Sequence, residues 1–313
     1  MHSTAEKIIL FANKVFTFAK NRVKIKASKK GGGFMLIKSD WHIHSEYSYD
    51  AKNTLREIGE GAKNFGYTRV GITDHANFND EKFLGDLHAS AAAVKEAQKK
   101  YPNMILGVEL TPIALPEFEY IAKNNGSREG FIPPACTPYD LELAATKEEL
   151  TRLGVKYAIG AAHWRLDIQD STAPHDDLEG NIREWYRQQM WLACDERVTI
   201  LGHPWFHGKG IWYEDFSVIP KSMKSDIAAV LKENKKYVEL NAHFYRDPKA
   251  TDKFKTQYSE YIREMFEMGI PVTYGSDLHS DYRDERELAN GYLIAAGFKE
   301  GDIGEVCEAD FFA

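Results

Sequence analysis

The stretch Lys38-Ser39-Asp40-Trp41-His42-Ile43-His44-Ser45 decides how this chain folds. It closes a short apolar run, so residues 35–43 (MLIKSDWHI) are predicted to form a strand. His42 and His44 are two residues apart, which points them to the same face of that strand. Runs of the same kind recur at 69–73 (RVGIT), 104–109 (MILGVE), 156–162 (KYAIGAA), 197–202 (RVTILG), 236–241 (KYVELN) and 271–276 (PVTYGS). Most are rich in β-branched or aromatic residues, as strands buried in a parallel sheet are. Helix-length segments separate them, at 53–66, 86–101, 139–153, 180–195, 222–234, 252–269 and 284–297, with Asn53-Thr54 and Thr137-Pro138 as helix starts. Seven βα units in series predict parallel strands joined by helical crossovers. No Gly-rich phosphate loop follows the first strand, which favours a closed barrel over an open nucleotide-binding sheet. The expected fold is therefore α/β, a distorted TIM-like barrel of seven βα units, with one domain over residues 35–313. The widest gap, 110–137, holds Pro112, Pro116, Pro133 and Pro134, with Pro138 just beyond. It reads as a long loop over one face of the barrel.

Ligand-type side chains gather at the carboxyl ends of these strands. They are Asp40, His42 and His44, then Asp74 and His75, then Glu109, His163, His203, and finally Asp277 and His279. In an α/β barrel the strand C-termini converge on one mouth, where active sites are built. A lone histidine near a strand end is more often a satisfied polar residue than a ligand. By that standard His88, His175 and His207 read as structural or surface residues, and His2 carries nothing. For the others the argument is joint: crowded carboxylates repel one another and lose hydration unless cations are present. A mixed imidazole and carboxylate set suits Zn, Mn or Fe better than Mg or Ca. The set exceeds the four ligands of one tetrahedral site, so two or three divalent ions are implied. Arg165, Arg246 and Arg283 are placed to hold an anion by bidentate contact, although a surface salt bridge is the commoner use of an arginine. Asn241 ends the sixth strand and reads as a substrate or water contact. The pairs Trp185-Tyr186, Trp205-Phe206 and Trp212-Tyr213 read as packing, with stacking on a flat substrate as the alternative.

In order, Asp40-Trp-His-Ile-His-Ser45, Gly71-Ile-Thr-Asp-His75, Gly107-Val-Glu109, Ala162-His163, Gly202-His-Pro204 and Gly275-Ser-Asp-Leu-His279 resemble the motifs of the PHP (polymerase and histidinol phosphatase) superfamily. The resemblance spans roughly residues 35–280 and is greatest to the histidinol-phosphatase-like branch. It implies a distorted barrel of seven βα units, the same count the strand pattern gives. It also implies a three-metal cluster. The first site would use His42, His44, Glu109 and Asp277, and Glu109 would bridge to a second site completed by His163 and His203. A third would use His75, His279 and Asp50, where relatives often carry histidine. The implied activity is metal-dependent hydrolysis of a small phosphomonoester: histidinol phosphate, a nucleotide or a sugar phosphate. The nucleophile would be a metal-bridging hydroxide held by Glu109 and Asp277, with Arg165, Asn241, Arg246 and Arg283 as substrate contacts. Three other readings are weaker. A nuclease acting on DNA ends needs a basic groove, a non-catalytic metal-binding scaffold tends to lose ligands, and an amidohydrolase lacks its carboxylated-lysine signature here.

Composition agrees. Of 313 residues 43% are hydrophobic and 28% charged, a balance that excludes disorder. A net charge of −7 gives no general reason to bind nucleic acid, whereas metal ions let an acidic protein hold a small anion. Cys136, Cys194 and Cys307 are scattered and read as thiols of a reducing cytoplasm. No apolar run is long enough to span a bilayer. Residues 5–20 are apolar with interspersed lysines, followed by a basic stretch from Arg22 to Lys30 and then Gly31-Gly32-Gly33. This 1–34 extension has three readings: a basic helix at a membrane surface, a signal peptide, or upstream sequence before a true start at Met35. The third is preferred. The expectation is a cytoplasmic enzyme whose partner is a small phosphorylated metabolite, with no nucleic acid and no membrane.

Overall fold

A computed structural model describes residues 36–76, 83–124, 126–134, 138–166 and 177–306. The readings of the N-terminal extension, Cys136, His175 and Cys307 lie outside the described residues. The strands are β1 (Asp40–Ile43), β2 (Val70–Ile72), β3 (His75–Ala76), β4 (Met104–Leu110), β5 (Ile113–Ala114), β6 (Leu141–Glu142), β7 (Tyr157–Gly160), β8 (Ile200–Leu201), β9 (Tyr237–Asn241) and β10 (Val272–Gly275). The main sheet runs β1-β2-β4-β7-β8-β9-β10, and β3 continues the line of β2 along β4. Every pair in it is parallel. The barrel of seven parallel strands is nearly closed by the chain just after β10. There Asp277 N donates to His42 O at 2.7 Å and His44 N donates to Leu278 O at 3.1 Å.

Each predicted strand is present; most are shortened at their ends, because only the residues facing barrel neighbours keep ladder hydrogen bonds, while β4 runs one residue further, to Leu110. The crossover helices occupy Leu55–Phe65, Phe83–Ala97, Lys147–Leu153, Leu178–Cys194, Lys221–Glu233, Asp252–Glu267 and Arg286–Ala295. The first shows how sequence sets the bounds. Thr54 accepts from Glu57 N while the Glu57 side chain accepts from Thr54 N, a reciprocal cap, and Gly66 ends the helix in the left-handed region.

Two expectations need correcting. The 110–137 gap is not a plain loop: it contains β5 and a helix, Leu115–Lys123. Pro116 falls in the first turn of that helix, where its missing N–H has no intrahelical acceptor to lose. The helix predicted from 139 begins only at Lys147, capped by Thr146, which accepts from Glu149 N. The residues before it pair antiparallel with β5, Ile113 opposite Glu142. No described helix is long and apolar enough to cross a membrane.

Candidate metal centre

The ends of the strands bring the expected side chains to one place. His42 from β1, His44 just after it, Glu109 from β4 and Asp277 after β10 are all buried. His42 Nε2 lies 3.1 Å from His44 Nε2, 3.5 Å from Glu109 Oε2 and 3.6 Å from Asp277 Oδ1. His44 Nε2 lies 3.4 Å from each of those two oxygens. Ligand atoms at a tetrahedral zinc, each about 2.1 Å from the ion, stand roughly 3.4 Å apart. His42, His44 and Asp277 therefore have the spacing of a ligand shell, and Glu109 Oε2 stands at a similar distance from both rings.

Glu109 divides its oxygens between two groups. Oε2 faces His42 and His44, whereas Oε1 is 3.0 Å from His203 Nε2 and 3.3 Å from His163 Nε2. A third group stands at the rim. His75 Nε2, His279 Nε2 and Asp50 Oδ2 form a triangle with sides of 3.5, 3.6 and 3.6 Å. The set fits divalent metal by a further test. Glu109 Oε2 and His75 Nδ1 are 2.8 Å apart, yet neither makes a hydrogen bond, and both are closed to solvent. A buried carboxylate oxygen without a donor is costly, and a cation beside it removes that cost.

Most of the rings are held from behind. His42 Nδ1 is 2.7 Å from Glu239 Oε1, His44 Nδ1 is 3.1 Å from Ser48 Oγ, and His163 Nδ1 is 2.9 Å from Thr111 Oγ1. Such partners fix ring orientation and turn Nε2 inward. Glu239 reaches further, accepting from the His203 backbone N–H at 2.5 Å and from Asn241 Nδ2 at 3.2 Å. It fits only because residue 275 is glycine: a Cβ there would fall 1.9 Å from Glu239 Oε1 and 2.5 Å from His42 Cβ. Asp74 organises the turn after β1, accepting from Ser45, Ser48 and Ser90. His203 and Asp277 adopt positive φ, 22° and 54°, a conformation uncommon outside glycine that collects at functional sites.

Charge is shared unevenly across the cluster. Burial pushes the Glu109 and Asp277 carboxyls up, but the imidazoles around them, His42 foremost, hold both well below the ordinary range. Burial pulls His42 down, and Glu239, Glu109 and Asp277 overcome it, leaving His42 well above its usual value. His75 is carried up to about 10 against burial, by Glu109 and Asp50. His44 goes the other way: burial, then His279 and His75, hold it well below.

Beside the cluster opens a cavity of about 430 Å³, lined by Tyr49, Asp50, His75, His163, Trp164, Phe206, His243, Arg246, Asp277 and His279. Arg246 donates to the carbonyl oxygens of Ser276 and Asp277 and to Glu285, so it braces the rim as well as facing the cavity. Asn241 is fully buried and its Nδ2 is 3.3 Å from Asp277 Oδ2. Arg165 and Arg283 are not brought to this cavity. Arg165 turns to Asp177 at 3.7 Å, and half-exposed Arg283 pairs with Glu285 at 2.7 Å. His88 pairs with Glu149, and His207 packs against Trp185 and Trp212, so both lie outside the cluster. Trp185, Trp205, Trp212 and Tyr213 are core residues, while Phe206 reaches the cavity. Sequence reading missed Glu239, His243, Tyr49 and Trp164. The first carried a signal, a lone carboxylate inside an otherwise apolar strand.

The PHP domain model matches residues 40–243. The histidinol-phosphatase of Lactococcus lactis subsp. lactis (strain IL1403) is 23% identical over 284 residues, covering 84% of this chain and 93% of that protein. The solved structure of histidinol phosphate phosphatase from Lactococcus lactis, complexed with zinc, L-histidinol and phosphate, aligns with a TM-score of 0.57 at 19% identity. That alignment covers 85% of this chain and 98% of the other. At such identity the likeness speaks for the fold.

Proposed function

The chain belongs to the PHP family, and from that premise we propose that it is a metal-dependent phosphomonoesterase acting on a small phosphorylated metabolite. Histidinol phosphate is the first candidate substrate, followed by a nucleoside monophosphate and a sugar phosphate. One observation carries the reading: the ring nitrogens of His42 and His44 stand 3.1 Å apart and each lies 3.4–3.6 Å from an oxygen of Glu109 and of Asp277, while the second oxygen of Glu109 turns to two more imidazoles. The structure of the Lactococcus relative with zinc, L-histidinol and phosphate together favours the same chemistry.

His42, His44, Glu109 and Asp277 would hold one ion, Glu109 with His163 and His203 a second, and Asp50, His75 and His279 a third. Zinc, manganese or iron suits these donors. Divalent ions so held supply Lewis acidity, which lowers the pKa of water and offsets charge on phosphoryl oxygens. The protein's own part is orientation and enclosure. Glu239, Ser48 and Thr111 lock three of the rings, and Asn241 steadies the Asp277 and Glu239 carboxylates. Arg246 keeps the stretch after β10 against the cavity, which it also lines, and would offer its guanidinium to an anion held there. The cavity volume suits a metabolite, and the net charge of −7 disfavours a nucleic-acid strand.

The experiment is a screen of phosphomonoesters and single-stranded DNA with protein loaded separately with Mn, Fe, Zn and Mg. Phosphate release from one metabolite, abolished in Asp277→Ala with unchanged circular dichroism, is expected. No hydrolysis with any metal, or digestion of DNA as fast as the best ester, would overturn the reading.

A further inference from the structure

Resting on the phosphomonoesterase reading, we propose that His243 is the acid that protonates the departing oxygen of the substrate. Four histidines line the cavity; His75, His163 and His279 fall in the candidate ligand groups and His243 does not. His243 opens the helical turn His243–Arg246 directly after β9. Its backbone N–H donates to Asn241 Oδ1 at 2.7 Å, which ties its position to the strand end that also steadies Asp277. Its ring stands edge-on to Phe206, with centroids 4.9 Å apart and planes at 82°.

One side of the imidazole is occupied and the other is not. Nε2 lies 3.3 Å from Asp247 Oδ2, one helical turn on, and the Asp247 side chain is only 10% exposed. A carboxylate so placed orients an imidazole and favours its charged form. Nδ1 has no protein partner among the described residues. Burial, with Arg246 and His203, holds the imidazole below its ordinary value against the pull of Asp277 and Asp247. A phosphate dianion in the cavity adds to that pull. Arg246 also lines the cavity, but a guanidinium is not a proton donor for this step.

The chemistry requires such a group. The bond that breaks joins phosphorus to the leaving oxygen, and the bond that forms joins phosphorus to a water oxygen. The proton on His243 Nδ1 passes to the leaving oxygen and gives a neutral alcohol. The proton shed by the attacking water returns the imidazole to its charged form. An alkyl leaving group is strongly basic and depends on this transfer, whereas a p-nitrophenolate leaves readily without it.

The test compares kcat/KM for an alkyl phosphate and p-nitrophenyl phosphate in the metal-loaded full chain and in His243→Asn and His243→Gln. The alkyl ester should lose about 100-fold, and p-nitrophenyl phosphate much less, within roughly threefold. The basic limb of the alkyl pH profile should disappear with it. Retained p-nitrophenyl turnover also reports that each variant is folded and loaded. Equal losses on both esters in both variants at unchanged metal content, or no loss on the alkyl ester, would overturn the role of His243. A metal-loaded parent inactive on every ester would overturn the phosphomonoesterase reading and this inference together.

Discussion

Glu239 shows how one side chain serves two ligand groups at once, through the His42 ring and the His203 backbone. Replacing it with glutamine keeps the shape and removes the charge that supports His42. Partners behind metal-binding histidines are worth about 10–100-fold in affinity. Glu239→Gln should therefore lose metal to a competing chelator about 10–100-fold more readily while its circular dichroism is unchanged. Metal retention within twofold of the parent would show that Glu239 has no such role. The strand-end ligand types were legible because His and Asp stand out where apolar runs stop. Glu239 was harder to see because its role depends on a register that only the folded barrel supplies. His243 was invisible for a related reason: it lies beyond its strand, and only the turn after β9 carries it back to the cavity.

Among elements, the seven parallel strands were legible because burial on both faces leaves a near-continuous apolar run. The segment between β4 and β7 was not. Its prolines signal a break, yet Pro116 sits where a helix tolerates it, and the two short antiparallel strands give too little alternation to register. β10 and β1 face each other so closely that Gly275 cannot carry a side chain without moving Glu239 or His42. Gly275→Ala should cost about 1–3 kcal/mol of stability by overpacking, and activity more than proportionately, because the displaced atoms are those that hold the His42 ring. Paired thermal melts and metal titrations would check this, and a variant with parental metal affinity would count against it.

For the whole molecule the relevant balance is between protons and cations in one buried cluster. His75 titrates at about 10 in the metal-free protein, above its ordinary 6.5. Its protonated form thus stabilises that state fully below about pH 6.5, and the contribution is lost as pH rises through about 10. His42 and His203 are raised in the same direction. Glu109 and Asp277, held low, are ionised across this window and change nothing in it. Metal binding needs the deprotonated rings and strengthens as pH rises. Between pH 6.5 and 10 the melting temperature of chelator-stripped protein should fall, while the increment gained on adding zinc or manganese grows. A stripped protein whose melting temperature climbs over that interval would contradict the assignment. The backbone hydrogen bonds that join the chain after β10 to β1 add a mechanical corollary. Asp277 supplies both a carboxylate to the cluster and an amide to the place where the hoop of strands meets itself. Emptying the cluster should therefore slacken the fastening of the barrel, and the amides of Asp277 and His44 should exchange with deuterium sooner than those elsewhere in the wall.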